Sequence, residues 1–264
     1  MSGNGWTAIL LAGQRPGIDP LAAAFGEERK AKIKVAGEAM LSRVARTLLA
    51  VPAIGRIVIM AQAPELLFDG DCAWLADEPR IATVHSDSGI ASSIAAVAGG
   101  PEAPWPVLVT TADHPLLTVP MIEAMIASDA AADVAVGVVG RRVLLAAYPG
   151  NRRTWLKFAG EAWSGANLFV FRSNRAKIAL GLWSEVERDR KKAIKLIAHF
   201  GPWLALRALT RTITLEAAMG AVGRKFGLVV RPVALPFAEA GIDVDKPSDH
   251  ALAEQILAAR AAAR

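Results

Sequence analysis

The chain is 264 residues long, 53% hydrophobic, 21% charged and 6% aromatic, which excludes the disordered, collagen-like and fibrous classes. A chain of this length buries roughly three quarters of its extended surface, so one core forms without disulfides or a structural metal, and a single domain over residues 1–264 is expected. The net charge of +5 is uneven, with the basic surplus in residues 141–225 and an acidic remainder; that stretch either attracts anions or is a solvated helical face, and no zinc-finger, RNP or heptad pattern points to nucleic acid.

Residues 7–12 (TAILLA) are an apolar run stopped by the Gly, Pro and Asp of 13–20, a buried strand followed by a loop. Lys30, Lys32 and Lys34 alternate with apolar residues ahead of Gly37. That spacing predicts an extended segment with three ammonium groups on one side, either a triphosphate clamp or a solvated edge strand. In 40–50, Leu41, Val44, Leu48 and Leu49 fall near helical spacing, and 57–61 (IVIMA) is the next strand. Strands follow at 81–85 and 107–111 with a helix over 92–98 between them, then a helix over 120–127 with Pro120 in its first turn. An apolar strand at 134–139, an Arg- and Lys-rich segment and a strand at 167–171 (NLFVF) come next. Residues 185–210 read as helical with a kink at Gly201 and Pro202, 229–235 as a late strand, and 247–264 as an alanine-rich final helix. This alternation is that of an α/β protein, a mostly parallel sheet with helices on both faces. Ligands of such sheets lie beyond the strand C-termini, so the Gly13 loop and Asp113 should share an edge.

Residues 10–17 (LLAGQRPG) place two glycines and Arg15 after the first strand, where amides can approach a phosphate. A plain turn explains them equally well, and neither a GxGxxG nor a P-loop pattern is present. In LVTTADHPLL, Asp113 follows a buried strand; left unpaired there it would cost free energy, and at a phosphate site magnesium suits it, the alternative being a turn or cap aspartate. GIDVDKPSD sets Asp243 and Asp245 on one face if extended, while Asp245 or Ser248 also suits a helix cap. Cys72 is the only cysteine, which excludes an intramolecular disulfide or Cys-rich zinc site, and the four histidines lack metal-ligand spacing. With no basic-then-apolar leader and no run of 18 apolar residues, the expected compartment is the cytoplasm.

In order along the chain, the glycine loop, a lysine before a G-x-x-M-L helix start, the D-x-P-L turn and the DVDKPSD turn resemble the MobA-like nucleotidyltransferases. The resemblance implies a three-layer Rossmann-like sheet of the GT-A type, here with a basic, mainly helical insertion at about 183–225. It implies an enzyme that joins the NMP group of an NTP to a phosphorylated small-molecule acceptor and releases pyrophosphate, with Mg2+ as cofactor. Carried over by position, it puts Leu11, Ala12, Gly13 and Gln14 in the nucleotide loop, with Ser88, Gly89, Ser92 and Ser93 beside the base and ribose. It turns Lys30 and Arg15 to the phosphates, makes Asp113 and Asp245 the metal ligands with Asp243 as the alternative, and faces Ser164, Gly165 and Asn167 to the acceptor. CTP is expected ahead of GTP. The acceptor's phosphate oxygen then attacks the α-phosphorus in line, with positioning and charge as the source of the rate. The chain departs from the family where Gln14, Arg15, Pro16 and Gly17 replace G-x-S/T-x-R-M and a longer insertion runs to Lys30.

Two other classes compete. A non-catalytic nucleotide or sugar-nucleotide binding protein of the same fold has little need of Lys30, Asp113 and Asp245 together. A glycosyltransferase would carry its D-x-D after a mid-chain strand, whereas Asp243-Val244-Asp245 is near the C-terminus. The stripe of Trp183, Phe200, Trp203 and Leu204 among Lys191, Lys192, Lys195 and Arg207 reads first as packing on the sheet and second as a peripheral membrane contact.

Overall fold

Successive side chains of the first strand go to opposite sides: Ala8 and Leu10 join one apolar cluster and Ile9 the other, as the two-residue period of a strand requires. Ile57 and Ile59 against Val58 and Met60, and Leu108 against Val107 and Val109, divide in the same way. Strands buried on both faces read as unbroken apolar runs, which is why TAILLA, IVIMA and VLV stand out in the sequence. The computed structural model describes residues 5–14, 17–86, 89–188, 207 and 210–263.

The strands are β1 (Trp6–Leu11), β2 (Lys34–Val35), β3 (Glu38–Ala39), β4 (Ile54–Ala61), β5 (Ile81–His85), β6 (Val107–Thr111), β7 (Val134–Gly140), β8 (Leu156–Lys157), β9 (Ala162–Phe171) and β10 (Val230–Ala234). The main sheet has the order β10-β7-β9-β6-β1-β4-β5, with β8 paired to β9. β9 runs antiparallel to β6 and β7, and the pairs β1–β4, β1–β6, β4–β5 and β7–β10 are parallel. The C-terminal ends of β1, β4, β5, β6, β7 and β10 therefore lie along one edge, together with the N-terminal end of β9.

The helices are α1 (Pro20–Ala24), α2 (Met40–Leu49), α3 (Ile90–Val97), α4 (Val119–Ile126), α5 (Arg141–Ala147), α6 (Ala176–Arg188), α7 (Leu215–Lys225) and α8 (Pro247–Ala262). Leu41, Val44 and Leu48 of α2, Met121 and Ile122 of α4 and Ile256 of α8 pack on one face of the sheet. Ile94 of α3 and Leu180 of α6 cover the other. The architecture is the expected three-layer, mostly parallel mixed sheet. Each fully buried Leu or Ile contributes roughly 1.5–3 kcal/mol of apolar burial.

Residues 30–34 do not form the extended segment that alternation predicts. Lys30–Lys32 is a turn of 3-10 helix, where side chains two residues apart point to different sides. Lys30 therefore parts from the other two: Lys32 pairs with Asp69, and Lys34 with Asp71 at 3.0 Å, on a shared patch, whereas Lys30 turns to Asp113 and Asp245. Nor does Gly37 open the first helix. Ala36 and Gly37 have φ values of 51° and 76°, the left-handed pair that a two-residue hairpin between β2 and β3 requires.

β9 starts at Ala162, ahead of the expected 167, because Ser164 and Gly165 break the apolar run. The basic segment after β7 begins with α5, and of the helix expected over 185–210 the described residues show the end of α6 and a helical Arg207. Phe200, Trp203, Leu204, Lys191, Lys192 and Lys195 lie outside them. Trp183 packs its ring against Phe169 at 5.2 Å. No described helix is long and apolar enough to cross a membrane.

Candidate active site

Gln14, three residues past the end of β1, ties down the loop that delivers Lys30. Its side-chain amide donates to the carbonyls of Gly17 and Glu28 at 3.4 and 3.2 Å, and its Oε1 accepts from the Lys30 backbone N–H at 3.1 Å. Asp113 arrives two residues beyond β6, whose exit is fixed by Ala112 N–H donating to Leu11 O at 2.9 Å. The segment after β10 is laced to the same place, since Val244 N–H donates to the Asp113 carbonyl at 2.8 Å. That bond puts Asp245 beside Asp113.

The three loops meet at one ammonium group. Lys30 Nζ donates to Asp113 Oδ2 at 2.6 Å and to Asp245 Oδ1 at 2.7 Å. The side chains of Lys30 and Asp113 are 17% and 20% exposed and that of Asp245 60%, so the cluster is half-buried and open on the Asp245 side. Burial acts to lower the lysine pKa, but the charge and hydrogen bond of Asp113, then those of Asp245, outweigh it and hold Lys30 above its ordinary value. Lys30 is a permanent cation.

Asp243 is engaged elsewhere. Its Oδ1 is ion-paired with Arg153 and its Oδ2 accepts from Asn167 Nδ2 at 2.8 Å. Burial tends to raise the pKa of this carboxyl, and the Arg153 guanidinium more than reverses that, leaving it below the ordinary carboxylate range. Of the two aspartates in DVD, Asp245 is the one that shares a cation with Asp113. Arg153 carries no sequence signal beyond lying in a basic segment.

Leu11 ends β1, and Ala12 N–H donates to Met60 O at 2.9 Å. Gly13 lies under the Gln62 amide, which a Cβ would approach to 3.0 Å, and Gln62 Oε1 accepts from Gln14 N–H at 3.1 Å. Ser93 is buried and accepts from the Ser86 hydroxyl at 2.7 Å, while Ser92 Oγ donates to Gly89 O at 3.0 Å. The amides that open α3 are met by a residue with no sequence signal: Glu187 of α6 accepts from Ile90 N–H at 2.7 Å and Ala91 N–H at 3.1 Å. Ser164 is buried in β9, Gly165 beside it is exposed with open space where a side chain would stand, and Asn167 holds Asp243. Arg15 and Ser88 lie outside the described residues.

Two carboxylates fit a magnesium ion. Asp113 Oδ2 and Asp245 Oδ1 already share one cation, and Asp113 Oδ1 is buried without a hydrogen-bond partner. Among the described residues no group of three or more His, Cys, Asp or Glu could hold a metal. Magnesium is commonly held by one or two carboxylates plus substrate phosphates, so the donor set agrees with an ion that completes its shell from a ligand.

Solved structures share this architecture. A hypothetical transferase from Thermus thermophilus superposes with a TM-score of 0.76 at 24% identity, covering 93% of this chain and 99% of the other. The 4-diphosphocytidyl-2C-methyl-D-erythritol synthase of Anaerococcus prevotii gives 0.56 at 12% identity, with 96% of each chain covered. CMP:2-keto-3-deoxy-manno-octonic acid synthetase, solved with CTP, gives 0.58 at 15% identity and covers 97% of this chain and 99% of its own. At these identities the likeness is one of fold. No curated protein matches the sequence. The profile of the MobA-like NTP transferase domain matches residues 8–185, more than half of the chain, and the chain belongs to that family.

Proposed function

We propose that the protein transfers a nucleoside monophosphate from a nucleoside triphosphate to a phosphorylated small molecule and releases pyrophosphate. The observation that carries this reading is the convergence of Lys30, Asp113 and Asp245 on one point at the C-terminal edge of the sheet. Family membership agrees with it. Asp113 and Asp245 would hold magnesium, which when bound supplies charge neutralisation at the α-phosphate. Lys30, charged at every physiological pH, stabilises the negative charge that builds on the leaving pyrophosphate. Gln14 fixes the backbone of Lys30, so the cation is placed by the fold before substrate arrives. No general base is needed, because a phosphate oxygen is already an anionic nucleophile.

The segment of Ser88, Gly89, Ser92 and Ser93 is assigned to the base and ribose, and the N-terminal end of β9, at Ser164, Gly165 and Asn167, to the acceptor. CTP is expected ahead of GTP, in line with the 2-keto-3-deoxy-manno-octonic acid synthetase of similar fold that was solved with CTP. Pyrophosphate release measured for four NTPs against a panel of phosphorylated acceptors tests the assignment. One pair should turn over, and Asp113→Asn should lower its rate by about 10²–10³ or more. Near wild-type release by that variant would refute the reading. Tight magnesium-nucleotide binding without turnover for any acceptor would instead identify a non-catalytic binder.

A further inference from the structure

Strand β9 carries an irregularity opposite Gly137. Phe169 pairs with Val136 of β7 and Gly165 with Val138, so Ala166, Asn167 and Leu168 stand against the single residue Gly137. Extra residues of this kind bend a strand and re-aim a side chain. Here Asn167 takes a left-handed φ of 50°, a conformation that asparagine adopts more readily than most residues with a side chain. Gly137 gives the bulge its seat, since a Cβ there would come within 3.1 Å of Leu168 Cβ and of Met125 Sδ.

The re-aimed side chain meets Asp243. Asn167 Nδ2 donates to Asp243 Oδ2 at 2.8 Å, Arg153 pairs with Asp243 Oδ1, and a second guanidinium nitrogen of Arg153 donates to the Asp243 carbonyl at 3.4 Å. One residue on, Val244 is fully buried and its N–H donates to the Asp113 carbonyl at 2.8 Å. The chain is thus pinned at two consecutive residues immediately ahead of Asp245, whose own side chain is 60% exposed. The Arg153 and Asp243 side chains are 13% and 19% exposed, and a pair so far out of water adds little net stability, because desolvation offsets its attraction. What the pair does fix is place.

We propose that Arg153 and Asn167 are positioning residues that act through Asp243 to set the separation of Asp113 and Asp245, and that this fixed separation selects Mg2+ over Ca2+. Mg2+ demands near-ideal octahedral geometry at short distances, whereas Ca2+ accepts longer and more variable ones, so loosening the clamp costs Mg2+ more. The inference rests on the magnesium site of the nucleotidyl-transfer reading and adds how the chain chooses its ion.

Mn2+ bound to the full chain, followed by electron paramagnetic resonance, is displaced by Mg2+ and, separately, by Ca2+; the readout is the ratio of the two displacement constants. That ratio is the same for any fraction of folded molecules, so a variant that merely loses stability does not move it. Asn167→Gly keeps the left-handed backbone and removes the amide, and Arg153→Lys keeps the charge and removes the planar fork. Wild type should prefer Mg2+, and each variant should shift the ratio toward Ca2+ by about tenfold. An unchanged ratio in either variant, or a wild type that prefers Ca2+, overturns the inference. Asp113→Asn is the control for the site itself: it should abolish Mn2+ binding, and binding that survives it would put the ion elsewhere, so that the failure would lie with the nucleotidyl-transfer reading.

Discussion

Lys30 stands between two carboxylates at hydrogen-bond distance, which makes it both a functional cation and a rival to any metal for the same oxygens. Its pKa is raised, so the stability this pairing contributes is complete below the ordinary lysine value of 10.5 and is lost only as pH rises through the higher folded value. Between pH 6 and 9 protonation does not release Lys30 from the aspartates; only a competing cation can. Removing the ammonium leaves two neighbouring carboxylates uncompensated. Lys30→Met should therefore bind Mn2+ in the absence of nucleotide about tenfold more tightly than wild type, a change of roughly 1.4 kcal/mol. Electron paramagnetic resonance of free Mn2+ reads this directly, and equal affinities would show that Asp113 and Asp245 do not share an ion. Cys72 gives a second test at this scale. Burial pushes its thiol up to about 11, so at pH 8 only about one molecule in a thousand carries the thiolate that reacts. Labelling by a disulfide reagent should be slow in native buffer and immediate in denaturant; rapid native labelling would mean that the helical turn over Gly70–Ala76 opens readily.

At the scale of elements, α7 and β10 show how a turn depends on one small residue. A Cβ on Gly223 would lie 2.5 Å from the Leu228 carbonyl oxygen, a backbone atom that cannot step aside. Gly220, one turn earlier on the same helix, would meet nothing nearer than an Arg224 side-chain nitrogen at 3.4 Å. Gly223→Ala should cost about 1–3 kcal/mol by overpacking. Gly220→Ala should gain up to about 1 kcal/mol from helix entropy. Thermal melts of the pair should move in opposite directions; a shared direction would place the helix end elsewhere. The same contrast governs what the sequence made legible. Central strands were readable because burial on both faces leaves an unbroken apolar run, as at 8–11 in β1, 57–61 in β4 and 107–109 in β6. The start of β9 was hidden because Ser164 and Gly165 are polar or small where the strand leaves the core. Helix α5, a short RRVLLAA run with two leading arginines, has too few turns to show a period.

Across the whole molecule, the candidate site is assembled from position 30 and from positions 113 and 245, which lie 83 and 215 residues from Lys30 in sequence. Asp113 was legible from its turn after a strand and Asp245 from its turn ahead of the last helix, and the parallel sheet brings the Asp113 turn to the edge where that segment lies. The supporting contacts were not legible. Gln14 on the Lys30 backbone, Arg153 on Asp243 and Glu187 on α3 are pairings across 16, 90 and about a hundred residues that no local pattern encodes. A ligand spanning these loops binds only when the whole sheet edge is in place, so its binding energy is added to the stability of the native state by mass action. At a concentration one hundred times its Kd, a magnesium-nucleotide complex should contribute about 2.7 kcal/mol, or a rise in Tm of about 5–10 °C for a chain of this size. Scanning calorimetry should show that shift only when magnesium and nucleotide are both present, and Asp113→Asn should abolish most of it. If nucleotide alone gave the full shift in wild type and variant alike, the triphosphate would be binding without the two carboxylates, and the convergence at the sheet edge would have no part in holding it.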